Sequence, residues 1–303
     1  MVLDKKIIKI AEDIKKIKIQ GASNIEIAAI KGIKEFITET DYKNNFINNL
    51  KENINHLVKQ RLNEPKLRNS LNYILEKAHE HELENTNKKL LDDINNYEKI
   101  TKARNNSVGE IASQLIQNGS KILTHCHSSL VESALKKAYD KGIDFEVFCT
   151  ETRPLYQGRI TAKNLCDHGI KTTMVVDSGV SHVLKKCDYF LTGADVVLSD
   201  GSVINKIGTH MISLMANYFK TPHIILTTTH CCETNEILNV QEDVEKRNVN
   251  EVWDKENRPK SLEILNPAFD VVPNELIDKI ITEVGVFSPE TLHLWVTQKN
   301  LRK

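Results

Sequence analysis

The stretch KILTHCHSS, residues 121–129, gathers groups that can do chemistry: the Cys126 thiol, the His125 and His127 imidazoles, and the Ser128 and Ser129 hydroxyls. Two apolar residues, Ile122 and Leu123, come before them. Helical spacing follows at Leu130, Ala134, Leu135 and Ala138. A short buried strand that ends in such groups at the mouth of a helix is where an open α/β sheet puts its chemistry. A thiol at a helix N-terminus beside histidines is expected to have a lowered pKa, and could act as a nucleophile or as an acid/base. If the strand persists, His125 and His127 lie on opposite sides of it, so only one of them can face a ligand.

Asp195 closes the segment LTGAD, where Gly193 and Ala194 let the backbone approach a ligand and present one carboxylate. Alone, an aspartate after a strand is as readily a helix cap. Beside Cys126 it offers an acid/base pair for moving a proton or hydride between adjacent carbons. The loop from Thr150 to Pro154, with Gln157, Gly158 and Arg159 after it, carries two fixed cations in Arg153 and Arg159. A guanidinium fork suits phosphate, though a solvated turn with an ion pair reads the same way. In SVINKIGT, Asn205, Lys206, Gly208 and Thr209 precede a helix whose free N–H groups could hold a phosphate. It lacks the G-x-x-x-x-G-K-[ST] spacing of a P-loop. His230-Cys231-Cys232 invites a metal reading, but adjacent cysteines rarely share one tetrahedral ion and no second ligand pair is suitably spaced, so no metal is expected. NPAFD, residues 266–270, reads as a turn with a carboxylate.

These groups need a frame, and the pattern of the chain supplies one. Residues 3–18, 25–37, 41–62, 67–82 and 87–118 carry helical apolar spacing with interleaved charges, and Pro65 separates two of the helices. Asn24 is expected to cap the second. From 121 onward the period changes. Strand-like runs fall at 121–125, 144–150, 172–177, 188–191, 195–198, 223–229 and 262–265. Helical runs fall at 130–141, 160–169, 179–186, 207–219, 274–284 and 289–299. The stretch 233–260 reads as a charged surface excursion. The expected fold is therefore α/β: an all-helical N-terminal domain over 1–118, then a Rossmann-like, mostly parallel sheet domain over 119–303 that carries the site.

Composition excludes several classes. Of 303 residues, 40% are hydrophobic and 27% charged, and Lys+Arg equal Asp+Glu at 41 each, so no global basic field points to nucleic acid. The N-terminus has no signal-peptide pattern, and no apolar run approaches the roughly 18 residues of a membrane span. Six cysteines without C-x-x-C spacing, Cys126, Cys149, Cys166, Cys187, Cys231 and Cys232, suit reduced thiols in the cytoplasm.

THCHSS, TETRP-x-x-QG, VVDS, GAD, G-x-VINKIGT and NPAFDVVP, in this order, closely resemble the ribose-1,5-bisphosphate isomerases of archaea. These share a superfamily with methylthioribose-1-phosphate isomerase and with regulatory subunits of the translation-initiation exchange factor. The resemblance covers about 120–285 well and the helical domain in outline. It implies a catalytic pair, Cys126 and Asp195, and an aldose–ketose isomerisation of ribose 1,5-bisphosphate to ribulose 1,5-bisphosphate in AMP salvage. Neither a metal nor an organic cofactor is implied. It also implies a cytoplasmic homo-oligomer, dimer or hexamer, that binds a phosphorylated pentose and no nucleic acid or membrane. The substrate-binding groups it implies are Gln20, Gly21, Ala22, Ser23, Arg61, Ser128, Arg153, Gln157, Gly158, Asn205 and Lys206. The chain departs from the pattern where Gln20 replaces an arginine, Ser129 replaces a lysine, and Glu64 follows Arg61-Leu62-Asn63. Charge-assisted contacts are worth roughly 1.5–3 kcal/mol each, so the loss of two cations points to a less charged sugar phosphate or to weaker binding. The alternative is a non-catalytic exchange-factor-like regulatory subunit that binds a nucleotide or sugar phosphate.

Overall fold

Charge-interleaved apolar spacing folds the first third of the chain into five helices: α1 (Lys5–Lys15), α2 (Ala22–Glu39), α3 (Phe46–Val58), α4 (Pro65–Glu80) and α5 (Asn87–Ser113). A computed structural model describes residues 3–16, 18–19, 21–40, 45–61, 64–81, 87–233 and 247–300. Asp4 caps α1 by accepting the N–H groups of Lys6 and Ile7 at 2.8 and 3.2 Å. Pro65 opens α4, where its missing N–H has no helical partner to lose. The second helix does not start on Asn24 as expected. It starts at Ala22, on Gly21 in the left-handed region (φ 81), where glycine carries no Cβ penalty. Ile7, Ile14, Ile25, Ile33, Leu50, Leu57, Leu71 and Ile74 are fully buried in the core these helices share. Packing divides the chain into two compact units, residues 1–104 and 105–303, so the division falls inside α5.

The second unit alternates strand and helix. Its elements are β1 (Lys121–Thr124), α6 (Ser129–Asp140), β2 (Glu146–Thr150), α7 (Gln157–Asp167), β3 (Lys171–Val175), α8 (Val180–Leu184) and β4 (Tyr189–Thr192). Then come β5 (Val196–Val197), β6 (Val203–Lys206), α9 (Thr209–Phe219), β7 (His223–Leu226), β8 (Phe269–Val272), β9 (Lys279–Thr282), β10 (Gly285–Phe287) and α10 (Pro289–Asn300). Seven strands form one sheet in the order β3-β2-β1-β4-β7-β9-β10, parallel except for β10. Its central strands are covered on both faces, which is why β7 reads as the unbroken apolar run HIIL. β5, β6 and β8 make a small antiparallel sheet.

Two expectations fail here. The run 274–284 is not a helix: a 3₁₀ turn at Asn274–Leu276 leads into β9, which pairs with β7 from Ile224↔Lys279 to Leu226↔Ile281. A short apolar run reads alike as a buried strand or a helix, and the free parallel edge of β7 decides for the strand. The run 262–265 is not a strand: Leu262 and Leu265 are 42% and 77% exposed, and the strand lies later, at β8. β6 and β10 were also unforeseen.

The strand order fixes where chemistry can occur. The chain moves from β1 to β2 to β3 in one direction, then returns to lay β4 on the other side of β1. Crossover helices leave opposite faces there, so a crevice opens beyond the carboxyl ends of β1 and β4.

Candidate active site

Cys126 follows β1 and Asp195 follows β4, so the two stand on either side of that crevice. Gly193 lies so close to Ser128 that a Cβ there would come within 2.7 Å of its hydroxyl oxygen. The Asp195 N–H donates to the Ile204 carbonyl at 3.0 Å, which holds the Gly-Ala-Asp turn against β6. The Asp195 carboxylate acts on Cys126 to raise its pKa, and the Lys206 ammonium acts to lower it. Cys126, Ser128, Asp195 and Lys206 therefore share one neighbourhood.

The expected low pKa of the thiol is overturned. Burial pushes Cys126 up to about 11, against the opposing Lys206 charge and a hydrogen bond from the His127 backbone N–H. No imidazolium offsets this, because burial also depresses His125 and His127. The helix offers little help: α6 starts at Ser129, and its cap is Ser128, which accepts the Val131 N–H at 3.4 Å. At neutral pH the thiol keeps its proton and stands as a donor. The His125 ring lies against Thr150 and the Ile207 carbonyl, and the His127 ring against Thr161.

The polar loop after β2 is built tightly. Gly158, in the first turn of α7, packs against β2, and a Cβ there would sit 1.7 Å from the Thr150 carbonyl oxygen. Asp177, after β3, accepts the N–H groups of Thr152 and Arg153 at 2.8 and 2.7 Å. Arg153 is not free for a phosphate: it donates to the Tyr156 hydroxyl at 2.7 Å and to the Val252 carbonyl at 2.9 Å. Arg159 lies over the same Tyr156 ring at 3.8 Å, largely exposed and 3.5 Å from Glu151.

The N-terminus of α9 is also taken. Asp270 Oδ2 accepts the N–H groups of Gly208 and His210 at 2.7 and 3.1 Å, so the anion at this helix start is the chain's own carboxylate, not the expected phosphate. Asn205 donates to Thr209 at 3.2 Å and is buried in the same turn. Lys206 lies over the Phe269 ring at 4.9 Å. It lines a shallow cleft, partly open to solvent, with Gln157, Leu155, Arg247, Glu251 and Asn266. Arg247 and Glu251, 3.5 Å apart, were missed within a stretch that reads as surface; only their charge, amid irregular sequence, could have marked them.

The remaining candidates lie in the first unit. Gly21, Ala22 and Ser23 form the start of α2, with open space at Gly21. Ser23 accepts from Lys66 Nζ at 2.9 Å, and Lys66 pairs with Glu26 at 3.2 Å, both nearly inaccessible. Arg61 is buried in this unit, and Gln20 lies outside the described residues.

A model of the initiation factor 2 subunit family matches residues 18–289. The chain is 37% identical to the ribose 1,5-bisphosphate isomerase of Methanocaldococcus jannaschii, over 92% of this chain and 90% of that one. It is 35% identical to the ribose 1,5-bisphosphate isomerase of Pyrococcus furiosus, over 94% and 91%. Among solved structures, the translation initiation factor eIF-2B of Pyrococcus horikoshii OT3 superposes with a TM-score of 0.84 at 23% identity, covering 95% of this chain and 99% of that one, which is a likeness of fold.

Proposed function

This chain belongs to the initiation factor 2 subunit family, and from that membership we propose that it is a sugar-phosphate aldose–ketose isomerase converting ribose 1,5-bisphosphate to ribulose 1,5-bisphosphate. The observation that carries the reading is the likeness to isomerases of that name over nine-tenths of both chains. The site supports it with a protonated thiol and a carboxylate on the two sides of one crevice.

The net reaction needs a proton given and a proton taken. The bond from C1 to the ring oxygen breaks, and the Cys126 thiol gives its proton to that oxygen. Asp195 takes the proton of the C2 hydroxyl as its oxygen becomes a carbonyl. The hydrogen on C2 moves with its electron pair to C1. Transfer of the proton from Asp195 back to the thiolate restores the starting state. A thiol with a raised pKa enters this cycle in the right form, and each well-placed proton transfer contributes typically about 10²–10⁴-fold.

We assign substrate contacts to Ser128, Gln157 and Lys206 in the second unit. Gly158 and Asn205 shape the turns that carry them, and Arg153 braces the loop after β2. On the same reading the enzyme works in the cytoplasm, in AMP salvage, as a homo-oligomer. The support for this is the resemblance of its motifs; among the described residues, no helix is long and apolar enough to cross a membrane.

The test is to supply the purified protein with ribose 1,5-bisphosphate and follow ribulose 1,5-bisphosphate, with Cys126→Ser and Asp195→Asn as controls. Turnover in the wild type and its loss in both variants is the expected result. Absence of turnover together with nucleotide binding would favour the regulatory-subunit reading, which the neutralised Lys66 and occupied Arg153 motivate.

A further inference from the structure

Cys126 and Thr152 both sit in the left-handed backbone region, at φ 66 and 62. For a β-branched residue this conformation persists only where the surroundings over-determine it. A chain of hydrogen bonds does so. The Cys126 N–H donates to Thr152 Oγ1 at 2.9 Å. Thr152 Oγ1 is 3.3 Å from Thr150 Oγ1, which is 2.6 Å from His125 Nδ1. His125 Nε2 is 2.8 Å from the Ile207 carbonyl.

The ends of this chain fix its direction. An amide N–H can only donate and a carbonyl can only accept. With His125 kept neutral by burial, Nε2 carries the hydrogen and Nδ1 must receive one from Thr150. Thr150 must then receive from Thr152, which receives from Cys126. No hydroxyl is left to turn.

The other side of the same residue is gripped in parallel. The Cys126 carbonyl accepts from Thr161 Oγ1 at 3.0 Å. Having given its hydrogen away, Thr161 must receive one from His127 Nδ1 at 3.1 Å. The two histidines therefore stand as opposite tautomers, each acting through threonine on one half of one residue.

We propose that His125 and His127 are positioning residues for the Cys126 thiol, clamping its N–H through Thr152 and its carbonyl through Thr161. The kinetic arm of this proposal rests on the isomerase reading; the chemical arm does not.

The experiment uses Thr152→Val and Thr152→Ser on one side, and His127→Leu and His127→Asn on the other. Asparagine keeps a donor near the place of Nδ1. Two quantities are read: kcat and KM with ribose 1,5-bisphosphate, and the rate at which iodoacetamide alkylates Cys126, followed by peptide mass. Thr152→Val and His127→Leu are expected to lower kcat about 10–100-fold with KM within about threefold, and to speed alkylation about tenfold as the thiol leaves its buried position. Thr152→Ser and His127→Asn are expected to restore both quantities to within about threefold of the wild type.

Unchanged kcat and alkylation in the first pair overturns the proposal, and so does a loss that the second pair shares in full. If either apolar variant fails to fold, the other side of the clamp decides. If the wild type shows no turnover, the isomerase reading falls and the alkylation rates alone decide the clamp.

Discussion

Gly193 and Ser128 touch across the crevice: a Cβ at 193 would lie 2.7 Å from the Ser128 hydroxyl and 3.0 Å from its Cβ. This contact locks the ends of β1 and β4 at one separation, and with it Cys126 against Asp195. Gly193→Ala is therefore expected to destabilise the protein by about 1–3 kcal/mol and to lower activity more than the stability loss accounts for. Ser128→Ala alone removes the cap of α6, at about 1 kcal/mol. The double variant is expected to lose less than the sum of the two single losses, because removing the hydroxyl relieves the closest overlap. Thermal unfolding of the four proteins checks this.

The thiol of Cys126 is pushed up to about 11 by burial. Its alkylation rate is therefore expected to climb about tenfold per pH unit through pH 9 and to level only near 11. The exposed Cys166 is expected to react ahead of it at neutral pH. The sign for stability follows from the same shift. The folded value lies above the ordinary 9.0, so this contribution is complete below pH 9 and is lost as the pH rises through 11. Peptide-resolved alkylation across pH 6–11 would reveal a thiolate instead, should the rate already be level at pH 8.

His223 is an acid-sensitive point of the sheet. Thr192 and Ser213 each meet one ring nitrogen at 3.0 Å, and Phe190 stacks on the ring at 4.4 Å. Burial depresses its pKa to about 3. The folded protein holds it neutral, so its contribution is complete above the ordinary 6.5 and is lost as the pH falls toward 3. Stability is expected to fall by up to ~1.4 kcal/mol per pH unit across that window. His223→Gln, less stable at pH 7, should show a flatter slope in melting temperature between pH 6.5 and 4.

Asp270 holds the first turn of α9 through Gly208 and His210. Asp270→Ala is expected to lose about 1–2 kcal/mol. It also vacates a helix N-terminus, so inorganic phosphate should raise the melting temperature of this variant more than that of the wild type. An equal response in both proteins would show that the vacated turn does not take an anion.

Much of this frame was legible in the sequence. The strand-like runs at β1, β2, β3, β4 and β7 mark a parallel sheet, and Cys126 and Asp195 fall just beyond strand ends, as their sequence context suggests. What stayed hidden is set by partners distant in the chain. DKIITEV becomes β9 because β7 offers an unpaired edge, which no local pattern shows. The pKa of Cys126 is misread because its polar neighbours are visible in sequence and its burial is not. Asp270 looked like the carboxylate of a turn, and only its pairing opposite Asn205 in the small sheet aims it at α9.

That pairing bears on the order in which the protein is made. β1 and β4 are complete once Thr192 has been synthesised, whereas β6 pairs with β8 only after Val272. Chains fold from the N-terminus as they emerge, and pairings of long sequence separation form late. The paired strands that precede the thiol and the carboxylate therefore exist on a nascent chain before the strand pair that secures Lys206 and α9. A chain still on the ribosome carries the proposed catalytic pair without its finished surroundings, and the last part of the sheet domain to be made is what completes them.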